Sequence, residues 1–229
     1  MTSITVFGAA GATGRQIVDQ AVRRGMSVTA VEPSWPHGET GIERVTHAEA
    51  DVLKDDLEAL IEGRDAVLSA LGLGLSPQSV IDPPPLYTES AHRIVRAMQR
   101  VQVRRLIVIS ASFVQTRQRG PLWFRATAMM ALDRVYRQMG DMERVLRTAD
   151  DIDWTAVRPG WLMDGPQTAD YTVTDDVIPA NLIRTRHADL ADFMLNCIED
   201  DAWIGKTPAI ARAEPSSKSS PAELFREVF

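Results

Sequence analysis

The chain is short of the residues that would tie it to several classes of protein. Cysteine occurs once, at Cys197, so no internal disulfide is possible. The helical pattern Leu190, Phe193, Met194 and Cys197 predicts a buried structural thiol there. The histidines, His37, His47, His92 and His187, are scattered and share no metal-ligand spacing, so no metal site is expected. Lysine is scarce, at Lys54, Lys206 and Lys218, and acidic residues exceed basic ones to give a net charge of −6. The densest basic run, RVQVRR at 100–105, reads as a solvated helix end leading into a strand, and no nucleic-acid partner is expected without a clustered basic patch. No apolar run approaches the length of a membrane span, and the first strand begins within the first few residues. The expectation is therefore no membrane association, no signal peptide and a cytoplasmic protein.

Residues 4–14 read ITVFGAAGATG and carry the most information. Ile4, Val6 and Phe7 run straight into Gly8, Gly11 and Gly14, and a helical pattern follows, with Ile17, Val18, Ala21 and Val22 on one face. Strand, glycine turn and helix form the context in which a glycine fingerprint has meaning. One glycine permits the tight turn, another lets the backbone approach a pyrophosphate, and a third lets the helix pack closely on the strand. The free N–H groups of the helix start then favour the anion. The competing reading is a glycine turn that binds nothing. Glu32 ends the next strand, 18 residues beyond Gly14. A carboxylate at about this distance accepts hydrogen bonds from the adenosine ribose hydroxyls and repels a 2′-phosphate, which favours NAD(H). The alternative for Glu32 is a solvated strand-end charge. Arg15, directly after the last glycine, is the rival residue, a cation placed to meet a 2′-phosphate.

Strand-like runs near 3–7, 27–31, 44–48, 66–71, 105–110, 153–157 and 207–211 alternate with helical stretches near 13–24, 55–61, 86–101, 122–148 and 187–199. This alternation predicts parallel βαβ units in an α/β doubly wound sheet with helices on both faces. Leu106, Ile107, Val108 and Ile109 are apolar in succession, as suits a central strand buried on both sides. One domain is expected over 1–212, with insertions at 73–87 and 163–186. The first is a proline-rich loop after the fourth strand, beside the expected active-site face. The second reads as an irregular excursion, and both are expected to cover the substrate. Residues 213–229 read as a tail linker, AEPSSKSSP, and a short amphipathic helix, AELFREVF.

GAAGATGRQIVDQAVRRG resembles the start of an atypical short-chain dehydrogenase/reductase, in the NAD(P)H-binding group that includes biliverdin reductase B, a flavin reductase, and the NmrA-like proteins. The resemblance continues through DVLKDDLEALIEGRDAVLSALG at 51–72, RRLIVISAS at 104–112 and DIDWTAVRPGWL at 151–162. It implies a Rossmann-type fold and a dinucleotide held by Gly8, Gly11, Ala12, Thr13, Gly14 and Arg15, with Glu32 on the ribose. Asp51 resembles the family aspartate beside the adenine, its alternative being a loop or helix-capping residue. Ala70, Leu71 and Gly72 resemble the segment that passes the cofactor ribose, and Pro159 and Gly160 the turn that closes over the nicotinamide. The family also implies that residues 163–186 cover the substrate.

Ordinary short-chain dehydrogenases carry Tyr-x-x-x-Lys, in which the tyrosine donates a proton and the lysine lowers its pKa. Tyr87, Tyr136 and Tyr171 are followed four residues later by Ala91, Gly140 and Asp175, so the pair is missing. Ser110 and Ser112 follow the fifth strand, where the family places a serine facing the nicotinamide. Their hydroxyls are candidates to hold the carboxamide or polarise a substrate carbonyl, against the alternative of a turn with locally satisfied hydroxyls. In WFRATAMMALDRVY, Trp123, Phe124, Met129, Met130 and Tyr136 read as core rather than pocket lining, and Asp133, Asp141 and Glu143 as a solvated face. The function these features imply is NAD(P)H-dependent reduction of a small apolar acceptor such as a flavin, quinone or enone. The competing classes are an NmrA-like redox sensor without turnover and an epimerase-like activity. The expected partner is a small-molecule substrate; a homodimer is compatible with the sequence but not specified by it.

Overall fold

The structure is a computed structural model that describes residues 1–35, 43–73, 83–116, 122–215 and 218, with Thr116 and residues 122–132 described through their backbone. The AELFREVF segment, Pro77 with most of the proline-rich insertion, and the side chains of Trp123, Phe124, Met129 and Met130 lie outside the described residues.

The chain alternates as its periodicity predicts: β1 (Ser3–Phe7), α1 (Ala12–Arg23), β2 (Ser27–Glu32), β3 (Val45–Glu49), α2 (Glu58–Ile61), β4 (Ala66–Ser69), α3 (Leu86–Val101) and β5 (Arg105–Ile109). A short α4 (Phe113–Thr116) and a long α5 (Leu122–Arg147) lead to β6 (Asp153–Pro159), β7 (Trp161–Met163), β8 (Thr172–Thr174), β9 (Arg184–Arg186), α6 (His187–Glu199) and β10 (Ala209–Ala211). The main sheet has the order β3-β2-β1-β4-β5-β6-β10-β8. Every pairing in it is parallel except β10 with β8. β1 sits at the reversal, with β2 on one side and β4 on the other, and in such a sheet ligands bind outside the carboxyl ends of the strands at that point.

Alternation within each strand separates two apolar layers. Leu106 and Val108 of β5 join Phe7, Met98, Leu146 and Trp154 on one face, beneath α3 and α5. Ile107 and Ile109 join Ile4, Val6, Ile17 and Leu190 on the other, beneath α1 and α6. Parallel strands covered on both faces read as continuous apolar runs, which is why β5 was legible.

Two expectations are corrected. Residues 163–186 are not wholly irregular. They carry β8 and β9, and β9 pairs in parallel with β7. Three-residue strands are too short for a period-two signal to appear. RVQVRR is also not simply a solvated end. Arg105 is buried, and its guanidinium donates to the carbonyls of Cys197 and Asp153 and to the Thr155 hydroxyl, fastening β5 to α6 and β6. Cys197 is buried, as its pattern predicts.

Candidate active site

The three glycines perform three separable tasks. Gly8 has φ +76°, and a Cβ there would lie 2.7 Å from the Ala70 carbonyl oxygen. Only glycine tolerates both the left-handed backbone and the close approach to the end of β4. A Cβ on Gly14 would lie 2.0 Å from the Gly8 carbonyl oxygen, so this glycine lets α1 pack onto the turn. Gly11 is different: a Cβ would meet only the Gly8 oxygen, at 3.3 Å. It is the N-cap of α1, no side chain caps the helix there, and the first turn holds no acidic residue. Bare N–H groups at a helix start with no Cβ in front of them fit an anionic pyrophosphate.

This turn opens into a cleft of about 820 Å³ along the carboxyl ends of the strands. At one end Glu32 accepts a hydrogen bond from the Ala10 N–H at 2.5 Å, so the carboxylate is held beside the glycine turn. Asp51 lies near it and accepts from Lys54 Nζ at 2.8 Å and from the Leu53 N–H at 2.9 Å. The Lys54 ammonium, then the Leu53 amide, hold its carboxyl below the ordinary aspartate value. Midway, Thr13 Oγ1 lies 2.7 Å from His187 Nδ1, which joins the start of α1 to the start of α6.

The opposite end is apolar and aromatic. Tyr87, Phe113, Tyr136, Met139 and Trp161 line it. The Phe113 ring lies 5.5 Å from that of Tyr136 and 6.1 Å from that of Trp161. Tyr87 Oη accepts from the Leu73 N–H at 3.3 Å. Burial pushes both phenols, Tyr87 and Tyr136, above the usual tyrosine value, so both are neutral O–H groups at physiological pH.

Beneath this end lies a buried polar network. Ser110 Oγ donates to Glu143 Oε1 at 2.7 Å. Arg158 closes a two-point pair on the same carboxylate, Nε to Oε1 at 2.8 Å and Nη2 to Oε2 at 2.6 Å. Arg147 adds a contact at 3.1 Å, and Arg158 reaches on to the Asp176 carbonyl and carboxylate, each at 3.2 Å. Ser110 and Glu143 are each 1% exposed and Arg158 0%.

The sequence pattern of a family described as NAD(P)H-binding matches residues 8–201, a span that takes in the glycine turn, the cleft and the buried network. This chain belongs to that family. The uncharacterised protein YwnB of Bacillus subtilis is 22% identical over 206 residues, covering 86% of this chain and 91% of YwnB. Among solved structures, the oxidoreductase YlbE of Lactococcus lactis superposes with a TM-score of 0.76 at 20% identity, over 98% of this chain and 96% of that one. A candidate NADH-flavin reductase of Streptococcus pneumoniae gives 0.72 at 23% identity, over 93% and 100%. A short-chain dehydrogenase/reductase of Veillonella parvula in complex with NADP gives 0.73 at 19% identity, over 92% and 94%. These likenesses bear on the fold, a Rossmann-type arrangement.

In this NAD(P)H-binding protein, the cleft is lined by most of the residues the sequence singles out: Gly8, Gly11, Ala12, Thr13, Glu32, Asp51, Ala70, Leu71, Gly72, Ser110, Pro159 and Gly160. Gly160 is required by packing, since a Cβ would lie 2.7 Å from the Ile183 carbonyl oxygen. Three candidates are placed differently. Gly14 sits under the turn, Arg15 is exposed on α1 and is not among the residues lining the cleft, and Ser112 is buried with its hydroxyl donating to the Arg158 carbonyl at 2.9 Å. Glu143 is not on a solvated face; Asp133 and Asp141 pair with Arg137 and Arg144 at the surface, while Glu143 turns inward to Arg158. Tyr136 belongs to the core and to the cleft wall together. Tyr87, Phe113 and His187 carried no sequence signal for the site, being single residues at the starts of helices. Among the described residues, no cluster of histidine, cysteine, aspartate or glutamate could hold a metal, and no helix is long and apolar enough to cross a membrane.

Proposed function

We propose that this chain is an NAD(P)H-dependent oxidoreductase, preferring NAD(H), that reduces a small, flat, apolar acceptor such as a flavin, quinone or enone. One observation carries the reading: a single cleft joins a bare helix N-terminus and a strand-end carboxylate to an aromatic, apolar end. The residues present fit a dinucleotide. Gly11 and the first N–H groups of α1 would hold the pyrophosphate, Glu32 an adenosine ribose hydroxyl, and Pro159 and Gly160 the nicotinamide end. When bound, a reduced nicotinamide supplies hydride.

The chain's own residues then act mainly by position. Phe113, Trp161 and Met139 offer apolar surface to a planar acceptor. Met163 and Asp164, the first residues of the 163–186 excursion, also line the cleft, in keeping with a substrate-covering role. Tyr136 stands where it can orient an acceptor oxygen through its O–H. It is a weak acid, because burial raises its pKa and Gly140 stands where a lysine would lower it. Proton delivery falls to solvent, and alignment is the chief catalytic resource. An NmrA-like sensor shares the missing Tyr-x-x-x-Lys, but the open apolar end is what a reductase requires. A screen of NADH and NADPH oxidation against flavins, quinones and aldehydes tests the proposal. Turnover with at least one acceptor supports it, and tight dinucleotide binding without turnover would favour the sensor.

A further inference from the structure

We propose that Glu143 is a positioning residue that fixes Ser110 as a hydrogen-bond acceptor, so that the end of β5 selects an N–H donor on the bound molecule, namely the carboxamide of a nicotinamide ring. This rests on the reading of the cleft as a dinucleotide site.

The inference follows from counting protons. The Glu143 carboxylate only accepts, and a guanidinium only donates. Oε2 receives Arg158 Nη2 and Arg147 Nη2, and Oε1 receives Arg158 Nε and the Ser110 hydroxyl. The one proton on Ser110 Oγ therefore lies on the line to Glu143, and what remains for the cleft is a lone pair. The proton does not turn outward readily. Ser110, Glu143 and Arg158 are all buried, and a broken hydrogen bond to a charged group in such surroundings is costly. Both ends of the network are anchored: Arg158 is held by Asp176 from the 163–186 excursion, and its carbonyl by the Ser112 hydroxyl. Ser110 cannot then polarise a substrate carbonyl, which needs the same proton. It can accept from an amide N–H.

The test compares NAD⁺ with its 3-acetylpyridine analogue, in which a methyl group replaces the carboxamide nitrogen, by calorimetry on the whole protein. The native protein is expected to bind the analogue about tenfold more weakly, the worth of one buried hydrogen bond. Ser110→Ala should bring the two affinities together, and Ser110→Thr, which keeps the hydroxyl, should preserve the difference. Glu143→Gln is the diagnostic variant. Two guanidinium contacts lie at Oε2 against one at Oε1, so glutamine places its oxygen at the former and turns its N–H₂ towards Ser110. The serine proton is then released into the cleft, and the preference for the carboxamide should shrink or invert. A merely structural Glu143 would weaken both dinucleotides equally. Should Glu143→Gln fail to fold, the Ser110→Ala and Ser110→Thr pair decides. Equal binding of NAD⁺ and the analogue by the native protein, or a difference that survives in Ser110→Ala, overturns this inference and leaves the cofactor reading standing. Binding of neither dinucleotide overturns both.

Discussion

Gly11 and Gly14 lie three residues apart in one turn, and the structure predicts that their substitution fails in opposite ways. At Gly14 a single added carbon would sit 2.0 Å from the Gly8 carbonyl oxygen and 2.8 Å from Ala9 Cα, both backbone atoms. The helix must move by more than an ångström relative to the turn, and overpacking against backbone costs roughly 3 kcal/mol or more. For a chain of this size that lowers the melting temperature of Gly14→Ala by about 6–12 °C. At Gly11 the backbone is extended at φ −67°, and the added carbon meets only one atom, at 3.3 Å. Gly11→Val should therefore keep its fold, with a stability loss of about 1 kcal/mol at most from the poorer N-cap. On the proposed reading its branched carbons would stand where a pyrophosphate must approach. Losing two or more amide contacts to a charged group, each worth about 1.5–3 kcal/mol, should weaken dinucleotide binding at least about a hundredfold. Circular dichroism melting and calorimetric titration of both variants read the two effects separately. A folded Gly11→Val protein with parental affinity would refute the assignment of the bare helix start to the pyrophosphate.

Three further outcomes follow from the same geometry. Glu32→Gln keeps an acceptor for the Ala10 N–H but removes the charge, so the ratio of NADPH to NADH dissociation constants should fall about tenfold or more; an unchanged ratio would remove Glu32 from cofactor choice. Ser110→Ala should slow single-turnover hydride transfer through poorer alignment yet leave a measurable rate, and Tyr136→Phe should cost less than about tenfold because its buried phenol is a poor acid; an inactive Tyr136→Phe beside a parental Ser110→Ala would give the proton to the tyrosine. Arg186, and after it Arg212, hold Glu214 below the ordinary glutamate value of 4.5, so its stabilisation is complete above that value and is lost as the pH falls through the lower folded one. Glu214→Gln should accordingly cost about 2 kcal/mol in denaturant melts at pH 7 and progressively less below pH 4.5, and a loss independent of pH would contradict the pairing.

The fold was legible where its signals are local. Ile4 to Gly14 compress a strand, a turn and a helix start into one segment, and the apolar run 106–109 suits a parallel strand buried on both faces. The glycine-turn end of the cleft was legible for the same reason, since glycines and a strand-end acid are read from spacing alone. The aromatic end was not. Glu143 and Arg158 are 15 residues apart on different elements, and although helical spacing sets Glu143 with Tyr136, Met139 and Leu146, a carboxylate in an apolar stripe does not name its partner. The packing of α5 over β5 and β6 supplies what it meets there, the Ser110 hydroxyl and the Arg158 guanidinium. Tyr87 and Tyr136 meet at the cleft because α3 packs on α5, and no spacing within either helix encodes that meeting. Glu214, read as linker, has its carboxylate buried against Arg212, two residues away, and Arg186, a contact across 28 residues of chain that composition does not reveal.

The most direct test of the account is a single-turnover experiment. The protein is loaded with one equivalent of NADH, mixed rapidly with an excess of flavin or quinone, and followed by the loss of reduced-nicotinamide absorbance. The account predicts oxidation of the bound NADH within one turnover, at a rate that Gly11→Val abolishes. NADH that binds tightly and persists unchanged against every acceptor would contradict it.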